Sequence, residues 1–447
     1  MNDDRAELAG VWRRLGGDAA LVERVTVGGP VPLDSPPLPL GFVAGVAAAA
    51  AALAGAEYLF PFGVPELVLD PAAVATAFGS ERHLRLEGER VVGFAPLSKF
   101  WPAADGWVRT HANYPHHQQR LLKALGTDAE GLGSAIAGRP AAEVEEMVCD
   151  GGGLAFAVRT EAEWAAHPQG RAVAAEPLVS LEAVPGAAPE RPVEAGRSFR
   201  VLDLTRTIAG PVAGRTLSFL GADVLRVDSP QLAEIPEQHL DTGWGKRSTL
   251  LDLAARSDRE VFEELLIGAD VVLIGYRPGA LDRFGLSPEE LAARHPGVVV
   301  GTLAAWGRTG PWAGRRGFDS LVQAATGIAL LTGAGEEGRP GALPVQALDH
   351  ASGYLLAAAV LRGLVRRRAE GGSQHASVTL AGTANWLLGA ERSAAPAGPL
   401  DPAPYLAEAD TAAGRLRYAL PPFRLPGGPL TWAEPVHPWG SDRPSWR

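Results

Sequence analysis

The stretch that decides the fold is VLDLTRTIAGPVAGRTLSFLGADVLRVD, residues 201–228. VLDLT (201–205) predicts a short buried strand, GPVAGRTLSFLG (210–221) a helix and ADVLRVD (222–228) a second strand. The alternation continues downstream. DREVFEELLIGA (258–269) predicts a helix, DVVLIGY (270–276) a strand, SPEELAARHPG (287–297) a helix and VVVGTLAAWG (298–307) a fourth strand. Connections are short and the strands are continuous apolar runs. That is the signature of a parallel sheet covered by helices on both faces.

Upstream the texture changes. VPGAAPERPVEAGRS (184–198) is rich in Pro, Gly and Ala and reads as a linker. Before it, KFWPAADGWVRTHA (99–112) predicts a hairpin turning at Ala104-Asp105-Gly106. HHQQRLLKALG (116–126) predicts a helix ending on Gly126, AAEVEEMVCDGG (141–152) another helix and LAFAVRT (154–160) a strand. Residues 96–183 therefore read as a small α+β unit. Residues 396–447 read as a Pro-rich tail, with LPPFRLPGGPLTWAEPVHPWG (420–440) extended over a domain surface.

A chain of 447 residues is longer than one core usually serves, which favours two domains. Its formal net charge of −10, with no basic stripe, argues against a nucleic-acid partner. The single cysteine, Cys149, excludes an intrachain disulfide and a cysteine metal cluster, which fits a reducing cytoplasm. The acidic start, MNDDRAEL, lacks the basic region of a secretory signal. GFVAGVAAAAAALAGAEYLF (41–60) is apolar, but it is mostly Ala and Gly and contains Glu57, so a buried helix is expected rather than a membrane span. The histidines His111, His116 and His117, with Lys99, read as surface residues, and no second ligand set suggests a metal.

PLPLGFVAGVAAAAAAL (37–53) echoes PVQALDHASGYLLAAAVL (344–361), with Gly41 where the second copy has Asp349. Each leads through an Ala-rich helix to a short strand, ELVL (66–69) or ASVTL (376–380). On these residues alone, an internal repeat and chance similarity of two Ala-rich helices both stand. Asp349 opens a long apolar run, and its simplest reading is a helix N-cap.

Five segments in order change that reading. Residues 201–228 resemble the opening of family III CoA-transferases. GKRSTLLDL (245–253), YRPGALDRFGLSPEEL (276–291), WGRTGPWAGRRGFDSLVQAATG (306–327) and LDHASGYLLAAAVLRGL (348–364) are similar to its next four motifs. The last carries the family's catalytic aspartate. DGWVRTHANYPHHQQRLLKALG, LAFAVRTEAEWAAHPQ (154–169) and PPFRLPGGP (421–429) resemble its small domain and closing segment. The parts stand in an unusual order, with the small domain first.

The resemblance implies a Rossmann-type, nucleotide-binding-like large domain over 199–395. Residues 1–95 become a degenerate partial copy of that domain's second half. It implies a CoA-transferase that moves CoA between an acyl-CoA and a carboxylic acid, with Asp349 as covalent nucleophile. Small neighbours, Ala351, Ser352 and Gly353, would admit a thioester, and the N–H groups of a helix opening there would favour negative charge. Coenzyme A is a substrate, and no permanently bound cofactor is implied. Lys246 and Arg283 would meet its phosphates. Thr207, Ile208, Ala209, Gly275, Tyr276 and Arg277 would line its path, together with Arg316, Gly317 and Phe318.

Related racemases carry a His where this chain has Phe318, so a racemase or isomerase reading is disfavoured. A catalytically idle acyl-CoA-binding or partner subunit is the alternative of a different class. The family's glycine loop in the small domain has no match, and GGG at 151–153 reads as a turn. The resemblance further implies a homodimer, and residues 40–70 are expected to pack beside 349–380.

Overall fold

The computed structural model describes residues 2–33, 35–91, 93–185, 198–333, 338–392 and 398–447. Most of the expected linker, residues 186–197, lies outside the described residues.

The large unit is built on a seven-stranded sheet. Its strands are β1 (Val179–Ala183), β2 (Arg200–Leu204), β3 (Asp223–Asp228), β4 (Lys246–Leu250), β5 (Val271–Ile274), β6 (Val299–Ala304) and β7 (Gln374–Thr379). They lie in the order β4-β3-β2-β5-β6-β7-β1. Six run parallel, and β1 closes the edge antiparallel to β7, with Ala183 opposite Gln374 and Val179 opposite Val378. The expected boundary at residue 183 therefore falls beyond a strand that belongs to the large sheet. The continuous Val and Leu runs are explained by burial on both faces: Val271, Val272 and Leu273 are all fully buried. Chain order reverses between β2 and β5, and open parallel sheets take ligands at the carboxyl ends of the strands beside such a reversal.

Three helices matter for the site. α1 (Leu40–Leu59), α3 (Ala209–Phe219) and α5 (Ala347–Glu370) pack on one another, with α5 in the middle and resting on β6 and β7. Alanine makes this possible, because Ala47–Ala52 are all within 1% of full burial and hold the backbones close. Gly353 does the same on the other side of α5: a Cβ there would sit 2.5 Å from the Ala209 carbonyl oxygen. α1 is long and apolar enough to cross a membrane by length and composition, but 83% of that span is buried inside the protein.

The expected packing of residues 40–70 against 349–380 is present. Glu57 of α1 pairs with Arg362 of α5 at 2.5 Å. Where the second copy has Asp349, the first has Gly41, whose missing Cβ would lie 2.2 Å from the Val31 carbonyl oxygen. No acidic side chain fits there. The strand expected at 66–69, Leu67–Leu69, pairs parallel with Val25–Val27 in a separate two-stranded sheet.

The small unit holds the expected hairpin, Phe100–Pro102 and Trp107–Thr110, with Ala155–Ala157 as third strand. Helix α2 (Pro115–Leu125) packs on the helix Ala141–Asp150, which lies against the third strand, and it stops at Gly126, whose φ of 63° is left-handed. Val108, Leu121, Leu132, Ile136, Val144 and Val148 give the unit its own core. Gly151 and Gly152 form the expected turn.

The tail differs from expectation over 406–419. Leu406–Thr411 and Gly414–Ala419 form a hairpin that pairs with Arg85–Leu86 and, through it, Glu89–Arg90. Residues 406–411 alternate Leu-Ala-Glu-Ala-Asp-Thr, a period-two pattern that signals a half-buried strand. Residues 420–447 carry no helix or strand, and Trp432 and Val436 anchor them in the main core.

Candidate active site

A cavity of about 730 Å³ opens at the carboxyl ends of the parallel strands. Thr207 and Ala209 reach it after β2, Leu251 and Leu253 after β4, and Gly275, Tyr276 and Arg277 after β5. Ala305 follows β6 and Leu380 follows β7, where it starts α6 (Leu380–Gly389). The opposite wall comes from the small unit, through Tyr114, His116, His117 and Arg120 at the start of α2. One chain thus supplies both walls.

Asp349 lines this cavity and is 6% exposed. It is not the cap of its helix: Gln346 occupies that position and Asp349 stands in the first turn. Capping is done by another acid. Asp319, on α4 (Asp319–Thr326), accepts from the backbone N–H of Leu348 at 2.9 Å and of Asp349 at 3.1 Å through Oδ2. Gln323, one turn along α4, donates to Asp319 Oδ1, and Leu343 N donates to Gln323 Oε1 at 2.9 Å. The first-turn N–H groups expected to face substrate charge are therefore taken by Asp319. The Asp349 carboxylate itself has no hydrogen-bond partner among the described residues.

Burial pushes the Asp349 carboxyl well above the usual carboxylate range, and the charges of Asp319 and Glu81 push it further. Burial also raises Asp319, to about 6, against the lowering effect of its bonds to Gln323 and to the backbone of Asp349 and Leu348. Glu81, from the N-terminal segment, braces the back of α5. It lies 3.1 Å from His350 Nε2 and accepts from Gln346 N at 3.4 Å. Burial works to raise Glu81, and the hydrogen bond and charge of His350 outweigh it, so its carboxyl is held below the ordinary range.

A second buried acid fixes the entrance. Glu234 accepts from Tyr114 Oη at 2.5 Å, Thr207 N at 3.1 Å, Ile235 N at 2.9 Å and Arg226 Nη2 at 2.5 Å. Thr207 has a φ of 72°, a left-handed conformation that costs a non-glycine residue on the order of 1 kcal/mol. The Glu234 carboxylate holds that backbone in place and ties it to the small unit through Tyr114.

Of the residues expected from sequence, Asp349, Thr207, Ala209, Gly275, Tyr276, Arg277, Arg283, Arg316, Gly317 and Phe318 all line the cavity. Two do not. Ile208 is buried at the foot of α3. Lys246 is 2% exposed and bonded to Asp203 Oδ2 at 3.0 Å and to the Pro211 carbonyl at 3.1 Å, so it braces β2 against β4 and α3. The small neighbours of Asp349 also serve another purpose. Ser352 Oγ is 2.7 Å from Thr383 Oγ1 on α6, and Gly353 faces α3. They allow close helix packing rather than substrate approach.

Two of the histidines read as surface are buried instead, while His116 is half-buried and Lys99 is exposed. His111 and His117 are 3% and 4% exposed. His111 stacks flat on Phe318, with centroids 3.8 Å apart. Burial lowers the His111 pKa to about 3, and the nearby Arg109 adds to this; burial lowers His117 as well. Both rings are neutral at pH 7. Sequence reasoning missed them, with Tyr114 and Arg120, because the small unit's place over the strand ends is set by tertiary packing. The dense Tyr-Pro-His-His at 114–117 was the available signal.

Residues 197–415 match the family model for CoA-transferase family III. The chain is similar to a probable fatty acyl-CoA transferase of Mycobacterium tuberculosis, 36% identical over 202 residues, covering 42% of this chain and 50% of that protein. It is similar to an acyl-CoA transferase of Gibberella moniliformis, 34% identical over 304 residues, covering 61% of this chain and 53% of that protein. An acetyl-CoA:oxalate CoA-transferase of Acetobacter aceti is 30% identical over 204 residues, covering 43% of this chain and 52% of that protein. The chain spans about half the length of these relatives. Tyr114, His116, His117 and Arg120 lie outside the segment matched by the family model.

Proposed function

We propose, from the match of residues 197–415 to the family model for CoA-transferase family III, that the chain is a member of that family and transfers CoA between an acyl-CoA and a carboxylic acid, with Asp349 as the covalent nucleophile. One observation carries the reading. The Asp349 carboxylate is buried and without a hydrogen-bond partner among the described residues, and it borders a cavity also lined by Arg120, Arg277, Arg283 and Arg316.

The chemistry follows from that placement. The ionised Asp349 carboxylate attacks the thioester carbonyl carbon, the C–S bond breaks, and CoA leaves as the thiolate. The product is a mixed anhydride between Asp349 and the acyl group. The thiolate then attacks the Asp349 carbonyl, which releases the first acid as carboxylate and leaves an aspartyl-CoA thioester. An acceptor carboxylate attacks that thioester, expelling thiolate and forming a second anhydride. Thiolate attack on the acceptor carbonyl frees Asp349 and yields the new acyl-CoA. Splitting one exchange into these steps is covalent catalysis.

The protein's part is electrostatic. A carboxylate with no hydrogen-bond partner attacks without first shedding one. Asp319 holds the two amides at the head of α5, which fixes where the nucleophile stands. Burial, with the charges of Asp319 and Glu81, keeps Asp349 basic. We read the large unit as Rossmann-type from its strand order, with CoA phosphates at the cavity's arginines and the thioester at Asp349.

The test is CoA exchange. Purified protein, an acyl-CoA and a panel of carboxylic acids should give new acyl-CoA species by chromatography, and Asp349→Ala should give none. Equal exchange by the variant would reject the assignment. A cytoplasmic setting is part of the same proposal. The homodimer is a separate one: sedimentation at micromolar concentration should show two copies. A single copy would remove that proposal and leave the site, which one chain lines, untouched.

A further inference from the structure

One aromatic ring stands next to the nucleophile. Phe318 occupies the N-cap position of α4 in an extended conformation, and its carbonyl accepts from Leu321 N at 2.9 Å and Val322 N at 3.0 Å. Asp319, the next residue, accepts from the Asp349 amide at 3.1 Å. Phe318 is thus one residue and one hydrogen bond from Asp349, and both line the cavity. The backbone leading to it is fixed as well. Trp306 Nε1 donates to the Arg316 carbonyl at 3.0 Å, and a Cβ at Gly317 would lie 2.6 Å from Ala305 Cβ.

The Phe318 ring is held from behind by the small unit. The His111 imidazole lies parallel to it, with 1° between the planes and 3.8 Å between centroids. His111 is 3% exposed and does not line the cavity. One face of Phe318 is therefore covered by a ring that substrate does not touch, and the half-buried remainder borders the cavity. Tyr114 and His117, which also line the cavity, stand 6.2 and 5.9 Å from Phe318. His111 is anchored in turn. It follows the strand Trp107–Thr110, and its amide donates to the Leu154 carbonyl at 3.1 Å. The next amide, Ala112 N, donates to Ser98 Oγ at 2.8 Å. A packed aromatic pair on a pinned backbone resists displacement.

We propose that Phe318 is the wall that selects the acyl group at Asp349, admitting straight chains over chains branched beside the carboxyl carbon, and that His111 is a positioning residue acting through it. The inference rests on the CoA-transferase reading and deepens it. The carbonyl carbon must come within bonding reach of the Asp349 carboxylate, which brings the adjacent carbon alongside Phe318. A straight chain lies along the ring. A methyl branch at that carbon needs the ring to move, and His111 blocks the movement. Donor acyl group and acceptor take this place in turn, so both are screened. His111 lies outside the segment matched by the family model, so the support for this wall comes from the small unit of this chain.

The test uses the full chain, propionyl-CoA as donor and two isomeric acceptors, butyrate and 2-methylpropanoate. The protein should favour butyrate in kcat/KM by about tenfold, the discrimination an apolar pocket achieves over one methyl group. Phe318→Ala should bring the ratio close to unity. His111→Leu, which fills the space without a flat face, should lower it several-fold, and His111→Phe, which keeps a flat partner, should preserve it. A loss of folded protein slows both acceptors alike and leaves the ratio unmoved. A ratio near unity in the unmutated protein, or one unchanged by Phe318→Ala, would overturn the wall. A ratio unchanged by His111→Leu would overturn the positioning role. Each of these results leaves the transferase standing. Absence of CoA transfer to any acid would instead remove the transferase reading, and the inference with it.

Discussion

Replacing Asp349 by Asn should stabilise the protein while abolishing transfer, and the gain should grow with pH. The Asp349 carboxyl is held well above its ordinary 3.8 by burial, by Asp319 and by Glu81. Between the unfolded and folded pKa values the folded state keeps a proton that the unfolded state has lost. Stability contributed by that proton is fully present below the unfolded pKa and is lost as pH rises through the folded one. The loss amounts to about 1.4 kcal/mol for each pH unit in that window. Asn at 349 carries no charge at any pH and removes the penalty. Its shape is nearly that of Asp, and the backbone amides at 348 and 349 stay bonded to Asp319. Denaturant titrations of both proteins at half-unit steps from pH 4.5 upward would measure the difference. The variant's advantage should climb at about that slope and then level off above the folded pKa. A difference that is flat, or that shrinks with pH, would refute a buried, destabilised carboxyl at 349.

Lys246→Met should cost roughly 3–5 kcal/mol of stability by leaving Asp203 buried without its cation, while CoA affinity of the folded fraction stays unchanged; a selective loss of affinity would return Lys246 to the phosphate site. Arg277→Ala and Arg316→Ala should each weaken CoA binding by about tenfold, on the order of one charge-assisted contact, and should flatten its salt dependence. Unaltered binding in both would empty the proposed anion site. Glu81→Gln removes one of the negative charges that raise Asp349, so the acidic limb of the rate profile should move to lower pH. A limb that stays put or rises would show that Glu81 does not act on the nucleophile.

The strands at Arg200–Leu204, Asp223–Asp228, Val271–Ile274 and Val299–Ala304 were legible because each is a largely apolar run bounded by turn residues, whereas Lys246–Leu250, with the sequence KRSTL, was legible only through its motif. The buried fate of 40–59 was legible too, since alanine gains little from lipid and much from close helix packing. Pairing partners were not. The hairpin strand Gly414–Ala419 finds Arg85–Leu86 more than 300 residues away, and no local pattern encodes such a partner. Asp349 was legible as the proposed nucleophile through its motif, but its physical setting was not. The cap role expected of Asp349 belongs to Asp319, which reaches across from another helix. Lys246 misled for a related reason: its motif suggests a phosphate contact, whereas its ammonium is used up by Asp203 and the Pro211 carbonyl. Burial of His111 and His117 depends on the small unit folding over the strand ends, which neither unit's own sequence records.

The most direct test of the nucleophile is to trap it. The protein is incubated with an acyl-CoA and hydroxylamine, digested, and the peptide that holds residue 349 is read by tandem mass spectrometry. An acyl-aspartyl or aspartyl-CoA intermediate would be captured as a hydroxamate on Asp349, dependent on acyl-CoA and absent without it. An unmodified Asp349 under conditions where CoA exchange proceeds, or a hydroxamate on another carboxylate such as Asp319, would contradict the account.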